Sequence, residues 1–309
     1  MKNNKLVVIL GPTASGKTNL SIKLAKKFGG EIISADSRQV YKGLNIGSGK
    51  ITKKEMQGIP HHLLDVANPA RKFSVAQFQK LALKKIKETQ KRNSLPFLVG
   101  GSGFYLQSIV DGISIPEVAP NWKLRKNLGK KTVEELFLML KKLDSIRAEN
   151  IDAKNPHRLI RAIEIARIMP VPIIKRNTQF NILQIGIKKS PEELKKLIKI
   201  RLQKRINGII TEVRTLTLNG VEGLKNSKLS FKRLEELGLE YRFVARLQRY
   251  AQHCGQAQYY EKKREIMVTL QKEIEHFAKR QMTWFKRDKQ IYWISNYKEA
   301  ENAIKHFLL

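Results

Sequence analysis

Cysteine occurs once in the 309 residues, at Cys254. A single thiol builds no disulfide framework and no cysteine-based zinc site, and such scarcity suits a reducing cytoplasm. Apolar runs are short too. None approaches the ~20 residues that cross a bilayer, and residues 6–10 are too few for the core of a secretory leader. Carboxylates are also scarce, with 27 acidic residues against 60 basic ones and a formal net charge of +33. That excess repels itself in a compact chain, and a polyanionic partner, usually nucleic acid, relieves it. No internal repeat or low-complexity tract is present, so the architecture has to be read from local periodicity.

The first third alternates strand and helix. Residues 5–10 read as a buried-type strand. Residues 17–28 carry Leu20, Leu24 and Ala25 at helical spacing, and Gly29-Gly30 stops them. Residues 31–35 and 96–99 read as further strands. Ser74 with Gln77 forms a capping box that opens a helix bearing Phe78, Leu81, Ala82 and Ile86. From Pro116 to about Thr178 the strands give way to short basic helices. One is capped by Thr132 with Glu135, and the last is closed by Met169-Pro170-Val171-Pro172. Residues 181–188 return to strand. Ser190-Pro191-Glu192-Glu193 starts a long basic helix, and residues 290–294 form a last strand before a short closing helix. The expected fold is α/β, a P-loop NTPase-like parallel sheet flanked by helices. A mainly helical insertion at 118–178 would interrupt a core made of 1–117 and 179–309.

Residues 11–18, Gly-Pro-Thr-Ala-Ser-Gly-Lys-Thr, fit G-x-x-x-x-G-K-[ST] between a strand and a helix. The glycines let backbone N–H groups converge on an anion. The helix start adds about half a positive charge, and Lys17 adds a full one. Thr18 offers a hydroxyl to a magnesium ion bridging two phosphates. Such a loop binds a di- or triphosphate and leaves the rest of the ligand open. Asp36 follows a strand at the sheet's carboxyl edge, where open α/β sheets place their ligands. There it serves as a base, holds magnesium through water, or simply caps its own turn. The strand at 96–99 runs into Gly100-Gly101, not into the acid of a nucleotide-hydrolysing Walker B strand. Arg158 and Arg161 share a helix face that spacing alone equally assigns to solvent. Trp284 and Phe285 read as core anchors. His61-His62 lacks the spaced partners of a metal site.

Six segments together resemble the tRNA dimethylallyltransferases (isopentenyl-tRNA transferases). They are GPTASGKT (11–18), ISADSRQVYKGLNIGSGK (33–50), HHLLD (61–65), LVGGSGFYLQSIVDG (98–112), NPHRLIRAIEI (155–165) and AKRQMTWFKR (278–287). The resemblance covers essentially the whole chain. It implies transfer of a dimethylallyl group from dimethylallyl diphosphate to the exocyclic amine of an adenosine. That adenosine lies 3′ of the anticodon in tRNAs reading U-initial codons, and pyrophosphate leaves with magnesium assisting. On this resemblance Gly11, Pro12, Thr13, Ala14, Ser15, Gly16, Lys17 and Thr18 cradle the pyrophosphate, with Arg201 as a further partner. Thr18 would hold the metal. Asp36 would be the general base, and Thr13 would lie near the reacting centre. Asp36, Ser37, Arg38 and Gln39 would meet the extruded adenosine. Ser102, in place of a usual threonine, Arg125, and the run His157, Arg158, Leu159, Ile160 and Arg161 would contact the anticodon stem-loop. So would Tyr241, Arg242, Lys279, Arg280 and Gln281.

The chain departs from the family pattern at Glu240, where a glycine is usual, and in the spacing before Arg125 and before Gly208. The zinc-finger extension of many eukaryotic members has no counterpart, which points to a bacterial member, and the resemblance implies a monomer. Three other activities remain to be weighed: a small-molecule P-loop kinase, a non-catalytic RNA-binding NTP sensor, and an isopentenyltransferase acting on free adenine nucleotides.

Overall fold

The computed structural model describes residues 4–116, 118–169, 179–224 and 227–309. Its centre is a six-stranded sheet in which every pairing is parallel. The strands are β1 (Lys5–Leu10), β2 (Gly30–Ala35), β3 (His61–His62), β4 (Leu95–Gly100), β5 (Asn181–Ile187) and β6 (Tyr292–Ile294), in the order β3-β2-β4-β1-β5-β6. This is the P-loop NTPase-like arrangement expected from the strand–helix rhythm. β1 is buried nearly from end to end because helices cover both faces of the sheet. Leu6, Val8 and Leu10 point into one apolar cluster, and Val7 and Ile9 into the other, as the period of two in a strand requires.

The second cluster is closed by α1 (Lys17–Phe28) and α12 (Tyr297–Leu308), through Ile22, Leu24, Ala25, Ala300 and Ile304. The first and larger cluster holds α2 (Val75–Lys91), α3 (Gly103–Val110), α8 (Pro191–Leu218), α9 (Phe231–Leu237), α10 (Leu239–Ala251) and α11 (Gln256–Phe285). Phe78 and Tyr105 stack there with centroids 4.1 Å apart. The local signals in the sequence act as expected. Gly29 ends α1 in a left-handed cap. Ser74 and Gln77 form their capping box. Ser190 accepts the Glu193 N–H at 3.1 Å, with proline in the first turn of α8.

Two compact units emerge, Met1–Asp111 with Thr178–Leu309, and Gly112–Asn177. The second contains α4 (Trp122–Leu128), α5 (Val133–Leu143), α6 (Ser145–Asn150) and α7 (Pro156–Ala166), with no strand among its described residues. Its own small core is built from Leu128, Leu136, Leu140, Ala148, Leu159, Ala162 and Ile163. Thr132 and Glu135 cap α5 as a box. The Pro170-Val171-Pro172 stop lies outside the described residues.

One strand was not foreseen. β3 is two residues long and pairs only through Ile32↔His61 and Ile33↔His62, too short for any alternation to register. His62 Nε2 lies 2.6 Å from Glu31 Oε2, and His61 Nδ1 lies 2.8 Å from the Ile59 carbonyl. His62 is thus engaged by an acid at the sheet edge, while the buried Nε2 of His61 has no partner among the described residues.

Candidate active site

The carboxyl ends of β1, β2 and β4 deliver the three segments of the site. After β1, Gly16 turns the chain into α1 at φ +89°, a left-handed conformation that side chains with a Cβ resist. Lys17 folds back over the loop, its Nζ donating to the Pro12 carbonyl at 2.6 Å. Burial pushes its ammonium down from the ordinary 10.5 to about 8. Asp36 opposes that fall and Arg201 adds to it. Ser15 Oγ is buried with no hydrogen-bond partner. A buried hydroxyl without a partner and an ammonium held below its ordinary range fit a phosphate oxygen as ligand.

After β2, Asp36 Oδ1 accepts the N–H groups of Arg38 at 2.8 Å and Gln39 at 3.3 Å. The turn-capping role is therefore real, but it occupies one oxygen. Oδ2 has no hydrogen bond among the described residues. Gln39 is held at both ends of its amide, by Ser34 Oγ donating to its Oε1 at 3.2 Å and by its Nε2 donating to the Gly49 carbonyl at 3.3 Å. After β4, Ser102 Oγ accepts the Ser37 N–H at 2.9 Å, tying the third segment to the second.

A small cavity of about 60 Å³ is lined by Lys17, Thr18, Ser34, Asp36, Gln39 and Gly101. A cleft of about 780 Å³ lies against residues 14–19, the turn at 45–52 and the α8 side chains Leu197, Ile200, Arg201, Lys204 and Arg205. Lys17 and Thr18 border both spaces. A phosphate held by them would border both spaces. Arg201 Nη1 donates to Thr13 Oγ1 at 3.5 Å, which brings the arginine to the loop. Thr18 and Asp36 supply hard oxygen donors, and among the described residues no group of three acids, histidines or cysteines forms a cage of its own. That donor set fits a magnesium ion that takes most of its ligands from phosphate and water.

Three residues assigned to RNA by resemblance lie inside the protein instead. Gln281 is 8% exposed, and its amide accepts the Thr13 N–H at 2.9 Å and donates to the Gly101 carbonyl at 2.7 Å. Tyr241 is 1% exposed, and its hydroxyl donates to Glu212 Oε1 at 2.6 Å. Leu159 is 0% exposed and belongs to the core of the helical unit. Helix periodicity places each on a core-facing stripe. Ser37, Arg38 and Ser102 are half-buried beside Asp36, whereas Arg242, Lys279 and Arg280 are exposed.

In the helical unit His157 and Arg158 are exposed and Ile160 is half-buried. Arg158 lies 3.6 Å from Asp152. Arg161 and Arg125 both reach the fully buried Glu164, at 2.5 and 2.7 Å. Burial alone would raise the Glu164 carboxyl, but hydrogen bonds from Arg125, the Asn121 N–H and Arg161 pull it down to about 2. Trp284 packs against the larger core and Phe285 is buried within it, as their type suggested.

A sequence profile described as IPP transferase matches residues 39–288. The chain belongs to this family. A tRNA dimethylallyltransferase of Anoxybacillus flavithermus is 36% identical over 98% of this chain and 96% of its own length. The tRNA dimethylallyltransferase 2 of Treponema denticola is 40% identical over 91% of each chain. Among solved structures, the tRNA isopentenylpyrophosphate transferase of Bacillus halodurans superposes with a TM-score of 0.68 at 32% identity, over 99% of this chain and 97% of that one. A eukaryotic dimethylallyltransferase acting on tRNA has a TM-score of 0.75 at 22% identity, over 98% of this chain and 77% of that one, a likeness of fold. As an IPP transferase the chain is an enzyme of the transferase class.

Arg205 and Glu212 were missed from the sequence, though each left a signal. Arg205 stands one turn beyond Arg201. Glu212 is the one acid between Glu193 and the end of α8, a break in that helix's basic run.

Proposed function

We propose that this protein transfers a dimethylallyl group from dimethylallyl diphosphate to the exocyclic amine of the adenosine 3′ of the anticodon, in tRNAs reading U-initial codons. The observation that carries this reading is the pair Lys17 and Thr18 bordering both the open cleft and the Asp36 cavity. A diphosphate held at the loop then presents its allylic carbon toward the acid. The amine attacks that carbon, the carbon–oxygen bond breaks, and pyrophosphate leaves. Asp36 Oδ2 takes the proton from nitrogen. Lys17, Arg201, the Ser15 hydroxyl and the loop N–H groups stabilise the charge that develops on pyrophosphate. Thr18 would hold magnesium, which when bound supplies charge neutralisation on the diphosphate.

The target base is stacked in free RNA and has to be turned out to reach Asp36. Ser37, Arg38, Gln39 and Ser102 meet it. Arg125, His157, Arg158, Ile160 and Arg161 of the helical unit, with Arg242, Lys279 and Arg280 of the core, serve the anticodon stem-loop. The net charge of +33 suits such a partner. Among the described residues no helix is long and apolar enough to cross a membrane, and we place the enzyme in the cytoplasm as a monomer. The test is mass analysis of nucleosides from tRNA incubated with enzyme and dimethylallyl diphosphate. A dimethylallylated adenosine is expected. Its absence, together with ATP turnover on a small hydroxylated acceptor, would favour a kinase.

A further inference from the structure

Four residues of α8 recur on one stripe, at positions 201, 205, 208 and 212, the spacing that keeps side chains on one helix face. Arg201 reaches Thr13 of the phosphate loop. Arg205 donates to the Ile46 carbonyl. Glu212 does more than either. Its Oε2 accepts the N–H groups of Asn45 at 2.9 Å and Ile46 at 2.5 Å, and its Oε1 accepts that of Gly47 at 3.1 Å. The buried Tyr241 hydroxyl donates to the same Oε1 at 2.6 Å while accepting the Ser48 N–H at 3.1 Å. Four consecutive N–H groups are thus gathered by one carboxylate and one phenol from two helices distant in sequence. Gly47 admits this arrangement, because a Cβ there would lie 2.5–2.8 Å from the Tyr241 ring and hydroxyl.

The gathered turn continues into Gly49, whose carbonyl holds the Gln39 amide. Lys50 fixes its far side, donating to the Tyr41 carbonyl at 2.8 Å, Asn45 Oδ1 at 2.9 Å and Asp65 Oδ1 at 2.6 Å. We infer that Glu212, with Tyr241, is a positioning residue for prenyl transfer. Through the 45–49 turn it fixes Gln39 and the Asp36 segment at a set distance from the donor loop, with α8 as the common ruler. This inference rests on the prenyl-transfer reading. Glu212 touches neither substrate, and it acts through backbone N–H groups that no neutral side chain satisfies equally well.

The test compares Glu212→Gln and Tyr241→Phe with wild type, using the full chain, dimethylallyl diphosphate and tRNA. Glutamine keeps the volume but gives up one acceptor oxygen, which leaves the Gly47 N–H and the Tyr241 hydroxyl unserved. A misplacement of the acid by an ångström slows single-turnover transfer by about 10- to 100-fold. Donor KM stays within about twofold, because the phosphate loop and Arg201 are untouched. Tyr241→Phe slows transfer by about 3- to 10-fold, and the double variant is about as slow as Glu212→Gln alone, since the two share one network.

Amide hydrogen exchange supplies a readout independent of activity. In Glu212→Gln, exchange should quicken at 45–48 and at 37–39 while residues 13–18 keep their protection. Transfer at the wild-type rate overturns the inference. So does loss of donor and RNA parameters together in proportion to a reduced active fraction, or faster exchange confined to 45–48. Should wild type itself leave tRNA unmodified, the prenyl-transfer reading fails, and the exchange pattern at 37–39 still decides whether the clasp exists.

Discussion

Lys17 should cost this protein stability, and replacing it should show how much. Burial lowers its ammonium from 10.5 to about 8, with Asp36 opposing and Arg201 adding to the fall, a penalty of about 3 kcal/mol against the charged form. Lys17→Met removes the charge and keeps the length. It also gives up the hydrogen bond to the Pro12 carbonyl, worth about 1 kcal/mol. At pH 7 the variant should therefore be more stable than wild type by about 2 kcal/mol. The sign with pH follows from proton binding. Between pH 8 and 10.5 the unfolded chain holds the Lys17 proton and the folded one does not, so wild-type stability rises relative to the variant. The gap should close, then reverse by the value of the lost hydrogen bond. Urea unfolding of the ligand-free proteins at pH 7 and at pH 9.5 measures both values. Pyrophosphate should stabilise wild type strongly and the variant little, because the anion restores the ammonium's partner. A variant less stable than wild type at pH 7, with a difference that ignores pH, would refute the reasoning.

Asp36→Ala should slow single-turnover prenyl transfer by about 10²- to 10⁴-fold with tRNA affinity nearly intact by filter binding; a rate within a few-fold of wild type would remove Asp36 as the base. Arg158→Ala should lower the slope of log tRNA affinity against log salt by roughly 0.7 to 0.9 if it meets a phosphate, without changing the melting temperature. Replacing Arg125 and Arg161 together by alanine should instead cost about 3–5 kcal/mol in thermal melts, because Glu164 is left as a buried, unpaired charge. The stability that Glu164 supplies is complete above pH 4.5 and should fade as pH drops toward about 2, a loss that acid titration of far-ultraviolet circular dichroism reads and that Glu164→Gln should abolish.

The order of strands and helices, the caps and the phosphate loop were legible because each is a local matter. A Gly-x-x-x-x-Gly-Lys-Thr turn, a Ser-x-x-Gln box or an alternating run binds its own neighbours in sequence, and residue types suffice to specify it. Membership of a transferase family was legible for the same reason, since its motifs sit in contiguous segments. What the sequence hid depends on pairs far apart. β3 exists only because two residues lie beside β2. Gln281 spans from α11 to the phosphate loop 268 positions away. Tyr241 and Gln281 stand in segments that read as RNA-binding, yet helix geometry turns them inward. Arg161, expected at the RNA, also shares a buried carboxylate with Arg125. Glu212 gathers N–H groups from a turn more than 160 residues earlier. Chain composition dictates that a basic protein with this loop will hold anions. Only packing decides which of its side chains hold the ligand and which hold the protein that holds it, because burial and partner are set by elements that meet in space.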